Sequence, residues 1–321
     1  MRVLGRLVLL VVVLLVVCGV TFYVSPIWFT RQQTHFGLFL ARVNSNYVAT
    51  PEGRVHYYEA ESGAPGGGIP LVLVHGLADR DESWAPMLKR LKRAGFHVYA
   101  PDLLGYGRSP KPTDSDYSIS TQEKFVADFI EALGLQKPNV GGWSMGGWIV
   151  LKLGLDHPEL VDRVIVYDAA GLEFDGADDR KGIFHPSTTE DVNKLFATME
   201  PEMKPLPNFV AKDMLKSLAN EAPTADKSMA SMATRVDALN GKLQAFQPPL
   251  LIVWGALDKL IPLSSGVEMH GLVPHSELDI VDGCGHLAPK TCPARVAAAT
   301  ADFLKANSAP QGQTRTLANM H

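Results

Sequence analysis

Hydrophobic positions fall along this chain in three regimes. From Leu7 to Val24 the sequence is uncharged and dominated by Leu and Val, long enough as a helix to cross most of a bilayer core. Extension to Phe29, with Tyr23, Trp28 and Phe29 near its end, completes a span. Ile27 to Val43 then carries Arg31, His35 and Arg42 among Phe36, Leu38, Phe39, Leu40 and Val43, a pattern that suits a helix lying at the membrane interface or packed on the domain behind it. Beyond it, short apolar runs alternate with helical stretches. Tyr47–Thr50 and Arg54–Glu59, about the turn Pro51-Glu52-Gly53, read as a β-hairpin. Ile69–Val74 is wholly apolar, as in a buried parallel strand, and the helical stretch Trp84–Arg93 separates it from the strand His97–Asp102. The helix Thr121–Leu133 leads into a strand ending at Ser144, and Val161–Tyr167 is the next strand. At Leu172 the alternation stops. Helix-like pieces fill residues 172–245, after which strand Pro248–Gly255, helix Pro262–Leu272, strand Glu277–Val281 and helix Pro293–Ala306 resume it.

Such alternation predicts an α/β chain with a doubly wound, mostly parallel sheet and ligands at the carboxyl ends of its strands. The implied organisation is a transmembrane anchor (1–29), a juxtamembrane segment (30–46), a core (47–171 and 246–306) interrupted by a helical cap (172–245), and a polar tail (307–321) expected to be disordered. A length of 321 residues suits one large domain with an insertion, or two ordinary ones.

Charge and cysteines narrow the partners. A net charge of −4 without a long basic run argues against nucleic acid. The three cysteines, Cys18, Cys284 and Cys292, form no Cys-x-x-Cys pair and no cluster at metal spacing, so neither a disulfide framework nor a zinc site is indicated. A bridge between Cys284 and Cys292 would enclose a short loop under strain, and both are expected as free thiols. For the first segment, a cleaved secretory signal competes with a retained single-pass anchor. The run is longer than a usual signal core and no Ala-x-Ala pattern follows, which favours the anchor. Arg2 and Arg6 before the span, against Arg31 and Arg42 after it, leave the side of the domain open, with a slight bias to an inside N-terminus.

The densest chemical signal is Gly142-Trp143-Ser144-Met145-Gly146, a Gly-x-Ser-x-Gly placed between strand and helix. There a serine sits on a sharp turn with its hydroxyl pushed outward, beside N–H groups at a helix start. Serine is a weak nucleophile near neutrality and needs a histidine base, which in turn needs a carboxylate. Asp258 follows the strand at Leu251–Gly255 and His286 follows the one at Leu278–Val281, so the chain order is Ser144, Asp258, His286. Asp168 also ends a strand and is the alternative acid. His75 and Asp102 read as structural.

With His75-Gly76-Leu77, the run from Asp102 to Ser109, Asp168-Ala169-Ala170-Gly171, Trp254 to Asp258 and Gly285-His286, the chain resembles the α/β-hydrolase fold family over residues 47–306. It is most similar to the serine lipase and esterase branch, particularly membrane-anchored monoacylglycerol-lipase-like members and bacterial lipases. The resemblance implies a carboxylic-ester hydrolase of lipid-like esters, needing no cofactor or metal, with Asp258 at the acid position and the N–H groups of Leu77 and Met145 as the oxyanion hole. Carbon–carbon bond hydrolases share the triad, although their oxyanion loop is typically glycine-rich where this chain has Leu77-Ala78-Asp79-Arg80. A non-catalytic binding relative is the other alternative; such proteins often lose triad members, and none is missing here. Five of the ten methionines fall between residues 172 and 245; with Phe184, Phe196 and Phe209 they suit an acyl lining or the core of a helical layer. Trp143, Met203 and Phe209 are the candidate substrate-binding residues.

Overall fold

The uncharged N-terminal run is a single exposed helix, α1 (Arg2–Val24), in the computed structural model, which describes residues 2–174, 176 and 182–318. Parts of the segment 172–245 and of the tail, residues 175, 177–181 and 319–321, therefore lie outside the described residues. Within α1, Arg6–Val24 is long and apolar enough to cross a membrane, and none of it is buried. The span stops five residues short of Phe29. Ser25 leaves the helical region (φ −142°, ψ 67°) and Pro26 opens a second helix, α2 (Pro26–Leu40), because proline has no N–H to continue the α1 ladder. Trp28 and Phe29 thus belong to α2. Leu38 of this helix is buried in the domain, while Trp28, Phe36, Phe39 and Leu40 are exposed.

Strands β1 (Asn44–Thr50) and β2 (Gly53–Ala60) make the expected hairpin, and β2 pairs antiparallel with β4 (Phe96–Pro101). Between them run β3 (Ile69–Val74) and α3 (Ala85–Arg93). After β4 come α4 (Ile119–Ala132), β5 (Asn139–Trp143), α5 (Met145–Asp156) and β6 (Val164–Tyr167), then α6 (Thr189–Met199) and α7 (Asn208–Ala233). The sheet resumes with β7 (Leu250–Gly255), α8 (Leu263–Leu272), β8 (Ser276–Val281), α9 (Ala288–Thr291), α10 (Pro293–Lys305) and β9 (Gln313–Leu317). The order across the sheet is β1-β2-β4-β3-β5-β6-β7-β8-β9, and every pairing from β4 to β9 is parallel. Helices on both faces leave the central strands no water to face. Leu71 to Val74 of β3 and Leu250 to Val253 of β7 are fully buried, each such side chain contributing about 1.5–3 kcal/mol.

Two expectations need correction here. The tail is not disordered where it is described: β9 extends the sheet beside β8. Arg315 donates to both carboxylate oxygens of Asp279 (2.8 and 2.7 Å) and Gln313 donates to Glu277 (2.8 Å). Polar composition concealed a strand whose side chains pair with acids on β8. Nor are Cys284 and Cys292 free thiols; they form a disulfide. The short helix α9 turns the chain back, so their Cα atoms stand 6.5 Å apart, inside the roughly 4.4–6.8 Å that bridges span. Arg295 donates to both sulfurs (2.9 and 3.2 Å).

Candidate active site

Ser144 links β5 to α5 at φ 57° and ψ −119°, a backbone that costs a non-glycine residue about 1–3 kcal/mol. The surroundings over-determine it. Its N–H donates to the Tyr167 carbonyl (3.0 Å), and its own carbonyl accepts from the N–H groups of Gly147 (2.9 Å) and Ala170 (3.0 Å). A Cβ on Gly146 would overlap the Val74 carbonyl, so glycine is what lets α5 begin this close to β3.

On the next loops, His286 Nδ1 lies 2.7 Å from Asp258 Oδ2, with both side chains buried. The other Asp258 oxygen accepts from Leu260 N–H (2.8 Å) and Ile261 N–H (3.0 Å), which fixes the carboxylate. A carboxylate on Nδ1 selects the tautomer with the proton there and leaves Nε2 free to accept one. His286 and Ser144 line the same cavity. Asp168, the alternative acid, turns elsewhere. Its Oδ1 accepts from Gly255 N–H (2.7 Å), and burial together with the nearby Asp258 charge raises its carboxyl well above the usual range. Its Oδ2 has no partner among the described residues.

The loop after β3 supplies the other wall. Burial lowers the pKa of His75 and keeps it neutral, so its Nδ1 donates to the Gly76 carbonyl (2.8 Å) while Nε2 accepts from Leu103 N–H (3.0 Å). Both contacts hold the loop and leave His75 no part in proton transfer. Leu77 and Met145, the first residue of α5, line the cavity near Ser144, and neither N–H is spent on another group among the described residues. Asp102 accepts from the N–H groups of Asp81 (3.0 Å) and Arg108 (2.8 Å). With His56 and Asp81 it forms a buried group whose donor atoms lie within 4.8 Å of one another. His56 Nδ1 is already paired with both acids (2.6 and 3.2 Å), and this group does not line the cavity.

The cavity holds about 1420 Å³. Trp143 and Met203 line it, as do Met199, Met214, Met229 and Met232. Phe209 does not. It packs against Phe22 (5.6 Å between centroids) and Tyr23 (5.1 Å) of α1, because its position at the start of α7 turns it toward that helix. Ile27, Thr30 and Arg31 of α2 also border the cavity, which local sequence could not reveal. They arrive by long-range contacts: Ile27 N–H donates to Asp213 (2.9 Å), and Arg31 pairs with Glu82 (2.9 Å).

Known proteins share this fold. A family model described as alpha/beta hydrolase fold matches residues 69–291. The crystal structure of a membrane phospholipase A, a bacterial virulence factor, superimposes with a TM-score of 0.79 at 26% identity, over 94% of this chain and 98% of that one. Lipase 3 of Moraxella sp. (strain TA144) is 25% identical over 229 residues, 68% of this chain and 72% of the lipase. The 2-hydroxymuconate semialdehyde hydrolase of Pseudomonas sp. (strain CF600) is 29% identical over 256 residues, 74% of this chain and 88% of that enzyme.

Proposed function

The chain belongs to the alpha/beta hydrolase fold family, and on that premise we propose that it is a membrane-anchored serine hydrolase of carboxylic esters, acting on monoacylglycerol-like or other lipid esters. Ser144 attacks the ester carbonyl while His286 Nε2 takes its proton and Asp258 stabilises the imidazolium. The N–H groups of Leu77 and Met145 hold the oxyanion, each worth about 3 kcal/mol to the transition state. His286 returns the proton to the departing alcohol, leaving an acyl-Ser144 ester. Water, activated by the same histidine, then releases the acid.

One observation carries the lipid reading. The serine opens into a methionine-lined cavity of about 1420 Å³ whose wall includes Ile27 and Thr30, immediately after the helix that can cross a bilayer. An acyl chain leaving the membrane beside α1 would meet Ile27 and then the methionines of the cavity that Ser144 lines. Likeness to the membrane phospholipase A and to Lipase 3 supports the same substrate class. Likeness to the semialdehyde hydrolase supports carbon–carbon bond hydrolysis as the second reading, to which an anchor and a methionine lining contribute nothing. The Cys284–Cys292 bridge supports a catalytic domain on the oxidising side of the membrane, with Arg2 and Arg6 on the other.

Because α2 forms part of the cavity wall, the informative deletion removes α1 alone. A variant lacking residues 1–24 is expected to hydrolyse soluble p-nitrophenyl butyrate within about threefold of the full chain, since that turnover reads only the site. Its turnover of long-chain monoacylglycerol in phosphatidylcholine vesicles should fall by about 10²-fold, the loss of effective concentration that tethering supplies. Equal vesicle rates for the two proteins, with a preference for acetate esters, would remove the lipid reading and leave ester hydrolysis standing.

A further inference from the structure

Three consecutive amides of the loop that carries His286 are held from the segment between β6 and β7. Glu200, the residue after α6, accepts from Gly285 N–H through Oε2 (3.0 Å) and from Leu287 N–H through Oε1 (3.0 Å). The second oxygen also accepts from Thr291 Oγ1 (3.0 Å). Between those two amides, His286 N–H donates to the Met199 carbonyl (2.7 Å). A Cβ on Gly285 would overlap that same carbonyl, so the loop sequence is fitted to this partner.

Local chemistry disfavours the arrangement. An acid at the C-terminal end of a helix faces the negative end of the helix dipole, and burial of a carboxylate is costly unless donors meet it. Glu200 is 6% exposed and ends α6, its N–H donating to the Phe196 carbonyl (2.7 Å). What compensates it is the histidine loop: two amides and a hydroxyl converge on one carboxylate, the strong charge-assisted kind of hydrogen bond.

We infer that Glu200 is a positioning residue for the base. It sets the backbone of Gly285 to Leu287, and through it the imidazole of His286, from the segment that borders the cavity. This rests on the proposed role of His286. Leu195, Phe196 and Met199 of α6 line the cavity while Met199 and Glu200 hold the loop, so a displacement of α6 by cavity contents displaces the base.

The test compares Glu200→Ala, Glu200→Gln and Glu200→Asp in the full-length protein. Turnover of p-nitrophenyl butyrate and the rate of labelling by an alkyl fluorophosphonate are measured beside thermal melting. In Glu200→Ala, kcat is expected to fall about 10²-fold with KM within about threefold, the cost of a misplaced reacting group rather than of lost binding. Glu200→Gln keeps one acceptor oxygen and should fall less. Glu200→Asp keeps the charge and should recover part of the loss, and labelling should slow in parallel with kcat. If the alanine variant does not fold, the glutamine and aspartate pair carries the test. A Glu200→Gln protein that melts like wild type with unchanged kcat overturns the inference, as does a rise in KM at unchanged kcat. Labelling needs no knowledge of the substrate, so it separates the two readings. Wild-type protein that labels at Ser144 yet turns over no ester removes the ester reading, and the labelling rates still decide on Glu200.

Discussion

Ser144→Ala is expected to lower turnover of p-nitrophenyl esters by about 10⁵-fold or more, the loss seen when a nucleophile that acts as a unit with its base is removed. Residual rate would come from the oxyanion donors and binding alone. The fold should not notice, because what holds the turn is backbone: the Ser144 N–H to Tyr167 and the Gly147 and Ala170 N–H groups to the Ser144 carbonyl. Alanine keeps all three and adopts the same φ of 57° at similar cost. A melting temperature within a few degrees of wild type, roughly the spread of surface substitutions, is therefore part of the expectation. Retained turnover at normal melting would end the serine mechanism.

The acids give the second large effect. Asp258→Asn should cut kcat by about 10⁴-fold, since an amide on Nδ1 favours the wrong tautomer of His286. Asp168→Asn should stay within about tenfold of wild type. Asparagine Oδ1 still accepts from Gly255 N–H, and the carboxyl it replaces has its pKa raised by burial and the Asp258 charge, which disfavours its ionised form. The reverse ranking would transfer the role to Asp168. Stability offers a separate check on that buried acid. Burial and the Asp258 charge raise the folded-state pKa of Asp168, so the folded chain keeps a proton that the unfolded chain loses above the ordinary carboxylate range. Its contribution to stability is full below that range and is lost as pH rises toward the raised value. Asparagine has no proton to lose, so the melting temperature of Asp168→Asn should gain on wild type as pH rises above the ordinary carboxylate range.

What could be read along the chain was what depends on neighbours in sequence. Apolar runs such as Ile69–Val74 announce buried parallel strands because both faces must be apolar. The elbow at Ser144 announces itself because its glycines answer clashes within a few residues. Asp258 and His286 could be placed because each follows a strand by a short loop, and parallel strands send those loops to one end of the sheet. The features that escaped depend on distant partners. Arg315 makes a strand of a polar tail only because Asp279 waits on β8. Cys284 meets Cys292 because α9 folds the chain back. Phe209 faces α1, and Ile27 of α2 joins the cavity wall, through contacts between segments more than a hundred residues apart, as the separation of 186 between Ile27 and Asp213 illustrates. Glu200 carried no signal at all, being one acid at the end of one amphipathic helix until its donors on the histidine loop are seen.

The most direct test of the account is the mass of the peptide carrying Ser144 after the purified, full-length protein is titrated with an alkyl fluorophosphonate while turnover of a long-chain monoacylglycerol is followed. Activity should disappear in step with one phosphonate adduct per chain, located on Ser144 and absent from Ser144→Ala. Protein fully labelled at Ser144 that still hydrolyses the ester, or activity lost without any adduct on that residue, would contradict it.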